Sequence, residues 1–149
     1  MIFLDYILAE KEIKDIVIKS YDKVKAVVDF LYENFNHYSW VGIYLVKDND
    51  LVLGPWKGKQ ATEHARIPIG KGICGSAAAS GETEIISDVN ADSRYLACFV
   101  STKSEIVVPI KKDNKILGEI DIDSDVKDAF TKKDKEFLEK IADMLSKHI

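Results

Sequence analysis

The sequence predicts an α+β domain: an antiparallel sheet with helices gathered on one face. Three observations carry it. Two pairs of strand-like segments are each joined by a tight polar turn, the chain opens and closes on amphipathic helical patterns, and 149 residues is one domain's worth of chain. Strands joined by tight turns pair antiparallel, and such a sheet can leave one face free to build a site.

Ile13, Val17, Val24, Val27, Val28, Leu31 and Phe35 recur at helical spacing among Lys, Asp and Glu, predicting one long N-terminal helix. Asn34–Phe35–Asn36–His37 ends it. Trp40–Val46 and Leu51–Trp56 read as a hairpin around Lys47–Asp48–Asn49–Asp50. After a polar loop, Gly58 to His64, comes a short extended piece, Arg66–Ile69. Ser76–Ser80 predicts one or two helical turns closed by Gly81. Glu84–Ser87 is a short strand, and Asp88–Ala97 a loop or helical segment. Ser104–Lys111 and Lys115–Ser124 form a second hairpin. Thr131 is a good N-cap for a last helix through Ile149, with Phe137, Leu138, Ile141 and Leu145 on one face. The reading is a single domain over residues 1–149.

Composition narrows the function. Hydrophobic residues make up 46% of the chain and charged residues 31%, which excludes wholesale disorder. A net charge of −4 argues against nucleic acid. Met1–Ile2–Phe3–Leu4 is cut by Asp5 and lacks a basic region, so neither a signal peptide nor a membrane span is expected. Two cysteines are too few for a secreted disulfide framework, and the expected compartment is the cytoplasm.

Strand parity points to a site. Alternation puts Ile116, Gly118, Ile120 and Ile122 on one face of the last strand, and Glu119, Asp121 and Asp123 on the other. A two-residue turn at Asp113–Asn114 would leave the isoleucine rows of the hairpin on opposite faces. An odd loop, Lys112–Asp113–Asn114, aligns them and sets Glu105 across from Asp121. Like charges directly opposed are destabilising, so such a face implies a bound cation, a carboxyl held protonated, or splayed solvated side chains. In the first strand Val41, Ile43 and Leu45 face the helices, leaving Trp40 and Tyr44 beside the carboxylates. Apolar walls over an anionic floor suit a compact apolar molecule bearing an ammonium.

Other motifs are weaker. Gly70–Gly75 spells GxGxxG, but Gly81 ends the helix too soon for a dinucleotide fold. Gly54 to Lys59 falls one residue short of a P-loop. Cys74, Cys98 and three scattered histidines lack zinc-site spacing. Cys74 sits at a helix start, where amide groups stabilise a thiolate, and Cys98 lies seven residues before Glu105. Two thiols near a polar pocket are the layout of a nucleophile and a resolving thiol.

Trp40–Tyr44 (WVGIY), Leu51–Pro55 (LVLGP), Arg66–Gly75 (RIPIGKGICG), Asp88–Val89, Ala97–Cys98, Ser104–Pro109 (SEIVVP) and Gly118–Ser124 (GEIDIDS) together resemble the free methionine-(R)-sulfoxide reductases, which are single GAF domains. The resemblance implies a six-stranded antiparallel sheet with the N- and C-terminal helices on one face. It also implies a pocket for the free amino acid. By position, Cys98 matches the nucleophile and Cys74 its cysteine partner. Glu105 and Asp123 match the carboxylates that polarise and protonate the sulfoxide, Asp88 and Asp121 the acids that hold the ammonium, and Trp40 and Tyr44 the wall around the methyl group. The implied partners are free methionine-(R)-sulfoxide and a thioredoxin-like reductant, with no metal or organic cofactor; a homodimer is left open. Three departures stand out. Glu63–His64–Ala65 replaces a stretch where many members carry a further cysteine, Phe99–Val100 follow Cys98 in place of a small acidic run, and Lys103 precedes Ser104. The alternatives are a GAF sensor that binds a small amine without chemistry, and a redox switch working through a Cys74–Cys98 disulfide.

Overall fold

The computed structural model describes residues 5–96 and 99–149. Cys98, the expected nucleophile, lies outside the described residues, as does Ala97. The predicted long helix is two: α1 (Tyr6–Lys19) and α2 (Lys23–Asn34). The chain turns extended at Ser20, and Asp22 restarts the helix by accepting from the Lys25 N–H at 3.1 Å. Helical spacing alone hid the break, because Ile13 and Val17 on α1 and Val27, Val28 and Leu31 on α2 pack into one core.

The first hairpin is β1 (Trp40–Lys47) and β2 (Asp50–Gly58). It is followed by β3 (Arg66–Pro68), α3 (Gly72–Ser80), β4 (Glu84–Ile86), β5 (Ser104–Lys112), β6 (Lys115–Ser124) and α4 (Lys132–Ser146). The strands form one six-stranded sheet in the order β3-β2-β1-β6-β5-β4, antiparallel at every pair. The expected fold class is therefore the observed one.

α1, α2 and α4 cover one face, over Val41, Ile43, Ile106, Val108, Ile120 and Ile122. The other face is not open. Tyr44, Leu51, Val107, Ile73, Ala77 and Ala78 form a second apolar cluster, in which α3 packs on the sheet.

The β5–β6 turn is the two-residue one, with Asp113 and Asn114 both at positive φ, as a tight hairpin turn of that type requires. The isoleucine rows nevertheless share a face. Lys111 pairs with Ile116 and Ile110 with Gly118, so Leu117 is an extra residue that flips the strand's parity beyond it. Two expectations change. Glu105 stands across from Asp123 rather than Asp121, and Ile116 belongs to the second cluster instead of the helical face.

α4 is fixed by a buried acid. Asp134, with its side chain 1% exposed, closes a capping box: Oδ2 accepts from the Thr131 N–H at 2.9 Å. Its Oδ1 accepts from Tyr6 Oη at 3.0 Å and Tyr38 Oη at 2.7 Å, and lies 2.9 Å from His37 Nε2. One carboxylate thus ties α1, the α2–β1 turn and α4 together.

These partners hold the Asp134 carboxyl down to about 2, from an ordinary 3.8, against the opposing effect of its burial. A depressed acid stabilises the fold above its unfolded value and loses that contribution as the pH falls through its folded one. Asp134→Asn should cost about 2 kcal/mol at pH 7, typical of hydrogen bonds to a charged group, and the gap to wild type should close between pH 4 and 2. Urea unfolding across that range measures both.

Candidate functional site

The second face of the sheet carries an acidic column flanked by an aromatic one. On β6, Asp123, Asp121 and Glu119 stand in a row; on β1 their partners are Trp40, Gly42 and Tyr44. β5 completes the rows with Glu105 opposite Asp123 and Val107 opposite Asp121. Glu105, Glu119, Asp121 and Asp123 are all buried, at most 5% exposed.

Trp40 lies flat on the sheet because the sequence leaves room for it. A Cβ at Gly42 would fall 2.3 Å from the far edge of its indole, and one at Gly58 2.3 Å from its Cδ1. Trp56 stacks on it at 6.1 Å and Phe99 tilts against it at 5.9 Å. The buried indole N–H has no acceptor among the described residues. Tyr44 donates its hydroxyl to the His64 carbonyl at 2.7 Å, so the stretch that departs from the resembled pattern closes over the pocket. Phe99, the second departure, supplies a wall.

α3 brings Cys74 onto the carboxylates. Gly72 takes a positive φ of 69°, and its missing Cβ admits the Leu96 side chain, which would otherwise meet it at 2.8 Å. Cys74, three residues into the helix, donates its thiol to Glu105 Oε2 at 3.9 Å. Tyr44, Ile67, Cys74, Tyr95, Leu96, Glu105 and Asp121 line one cavity, with free volume of about 20 Å³, room for little more than one water. Arg94 anchors the Tyr95–Leu96 wall by donating to both Glu84 oxygens, at 2.8 and 3.2 Å, and to Asp92.

The electrostatics overturn one sequence expectation. The helix start does not stabilise a Cys74 thiolate: burial pushes the thiol well up, and Asp121, Glu119, Glu105 and Asp123 add to it. Cys74 is a protonated thiol at neutral pH. Burial also raises Glu105, Glu119 and Asp123, with Asp121 as the main charged neighbour; Asp121 is raised by burial alone, against its hydrogen bonds.

Six of the eight residues singled out from sequence therefore meet on this face: Trp40, Tyr44, Cys74, Glu105, Asp121 and Asp123. Asp88 does not line these cavities. It caps the turn at Val89–Ala91 and pairs with Lys127 at 3.3 Å. Glu119 joins these six residues, and its alternation with Asp121 and Asp123 is the sequence signal for it. It is fully buried, and neither oxygen has a hydrogen-bond partner among the described residues.

Comparison with known proteins places the fold in a family. The GAF domain family model matches residues 23–149. The Free methionine-R-sulfoxide reductase of Escherichia coli is 42% identical over 117 residues, covering 78% of this chain and 70% of that protein. The chain belongs to the GAF-domain family, among the free methionine-R-sulfoxide reductases. Two solved members of this reductase family superpose closely. The reduced fRMsr of Staphylococcus aureus has a TM-score of 0.88 at 38% identity, covering 96% of this chain and 94% of that one. The Neisseria meningitidis enzyme, in complex with its substrate, has a TM-score of 0.89 at 35% identity, covering 95% and 86%. No described helix is long and apolar enough to cross a membrane.

A raised carboxyl costs the fold nothing below its unfolded pKa, and the cost builds as the pH rises toward the folded value. Glu119→Gln should therefore raise the melting temperature at pH 7 and lose that advantage near pH 4. Thermal unfolding of both proteins across this range checks the sign.

Proposed function

We propose that this GAF domain reduces free methionine-(R)-sulfoxide, with Cys98 as nucleophile and Cys74 as resolving thiol. The observation that carries the reading is the buried pairing of Glu105 with Asp123 beside Trp40, on the sheet face that Cys74 also reaches. A carboxyl kept protonated by burial and by a charged neighbour can donate its proton at neutral pH.

The amino acid supplies what the site lacks. Its ammonium neutralises an acidic face with no cationic partner of its own among the described residues, and Asp121 takes it; Asp88, already neutralised by Lys127, is the weaker half of that assignment. Trp40 and Tyr44 enclose the sulfoxide methyl. With about 20 Å³ free, binding moves a wall of the cavity.

The Cys98 thiolate attacks the sulfoxide sulfur while Glu105 or Asp123 protonates the oxygen. The protonated oxygen passes from the substrate sulfur to Cys98 as the transient sulfur–sulfur bond breaks, so methionine leaves and Cys98 becomes a sulfenic acid. Cys74 is a poor first nucleophile, because its surroundings hold the proton on it. Its place is the second step, where Glu105 takes its proton and relays it to the sulfenic hydroxyl, which leaves as water while the Cys74–Cys98 disulfide forms. A thioredoxin-type dithiol restores both thiols, so that sulfoxide and dithiol become methionine, disulfide and water. A reducing compartment such as the cytoplasm suits this chemistry.

Purified protein with dithiothreitol should reduce the free R epimer and ignore the S epimer and N-acetylated substrate. Equal rates on free and acetylated substrate would remove the ammonium assignment. Glu105→Gln and Asp123→Asn should each slow turnover on the order of 10²-fold with the fold intact.

The two cysteines should part in single turnover. Cys98→Ser should release no methionine. Cys74→Ser should release one equivalent and leave a sulfenic acid that a dimedone probe traps, while thioredoxin-coupled turnover fails. One equivalent of methionine from Cys98→Ser, quantified by chromatography, would overturn the assignment.

A further inference from the structure

Cys74 Sγ, one oxygen of Glu105 and one of Asp121 lie within 4.8 Å of one another, all buried, and they come from three separate elements. A thiol beside acids is a common arrangement, but here a second observation points to a ligand. Glu119 has no exposed surface, neither of its oxygens has a hydrogen-bond partner among the described residues, and its charge acts on Cys74. One Asp121 oxygen is unpartnered as well. Buried acids are normally paired or bound to metal, because burial removes the water that would solvate them.

We propose that Cys74, Glu105 and Asp121 form a site for a thiophilic divalent cation of the Zn²⁺ class, with Glu119 completing the charge around it. The donor set selects the ion. A thiolate disfavours Mg²⁺ and Ca²⁺, which take oxygen ligands, and favours Zn²⁺, which accepts sulfur and oxygen together. Ligand atoms across one tetrahedral ion stand roughly 3.5 Å apart, from metal–ligand bonds of about 2.0–2.3 Å. The cluster thus closes on a cation by about 1 Å of side-chain movement at its widest separation. Binding replaces the Cys74 proton, which passes to solvent as the metal–sulfur bond forms; no electron moves.

The ion would occupy the space assigned above to the substrate ammonium, so it would compete with substrate; that clause alone rests on the reductase reading. The test uses a spectrum instead of turnover. Reduced protein titrated anaerobically with Co²⁺ should show a sulfur-to-cobalt charge-transfer band saturating at one equivalent. Zn²⁺ should abolish the band, and Mg²⁺ should leave it unchanged. Cys74→Ser should lose it, Cys98→Ser should keep it, and Glu119→Gln should bind Co²⁺ at least tenfold more weakly. Absence of the band in folded wild type, or a band that survives in Cys74→Ser, overturns the site. Should Cys74→Ser fail to fold, undiminished affinity in Glu119→Gln overturns it instead. Free methionine sulfoxide should raise the apparent Kd for Co²⁺ in proportion to its concentration, and a Kd unmoved by saturating substrate would overturn the shared space. A protein that binds Co²⁺ but turns nothing over refutes the reductase reading and leaves the cation site standing.

Discussion

The constraint on which this structure turns is the burial of four carboxylates at the centre of a sheet. Asp123, Asp121 and Glu119 occupy β6, a strand with neighbours on both sides, so they cannot swing out past an edge. Isolated charges there are costly, and burial raises all four carboxyls. The same burial keeps Cys74 a thiol. The strength of the helical core on the opposite face makes the arrangement tolerable: β1, β5 and β6 present an unbroken aliphatic surface to α1, α2 and α4. An acid-bearing face can remain under-satisfied when the other face supplies the stability.

Much of this was legible in the residues because β-alternation has a period of two. Val41, Ile43, Ile120 and Ile122 declared the helical face, and Trp40, Tyr44, Asp121 and Asp123 necessarily fell on the other. The error was local. The isoleucine rows align as alternation predicts, but through a two-residue turn and an extra residue at Leu117 in place of the expected odd loop Lys112–Asp113–Asn114. The error moved Glu105 by one pair along the strand, from Asp121 to Asp123. A single inserted residue decides which carboxylate stands opposite Glu105.

Other features were hidden for different reasons. The break between α1 and α2 leaves both apolar faces on one core, so the periodicity runs through it. Glu119 obeys the same alternation as its neighbours, yet its burial depends on α3, which packs over this face of the sheet from a distant part of the chain. A helix start predicts a stabilised Cys74 thiolate only where no acids face it, and here they do. Amide dipoles near a helix N-terminus contribute a fraction of a charge, whereas four carboxylates and full burial act the other way.

The two faces of the sheet answer the same electrostatic problem in opposite ways. Asp134 is as buried as Glu119, but backbone, hydroxyl and imidazole groups converge on it, and its carboxyl falls to about 2. Glu119 meets no such partner among the described residues, and its carboxyl rises. Both expose almost no surface, so exposure does not account for the contrast. The contrast reflects whether the fold itself supplies donors. Where it does, the acid serves architecture and is spent on joining α1 to α4. Where it does not, the unmet hydrogen-bonding capacity faces Cys74 and the aromatic walls, where a ligand with positive charge or a transferable proton can meet it. Burial alone would not have separated these two acids; the count of converging donors does.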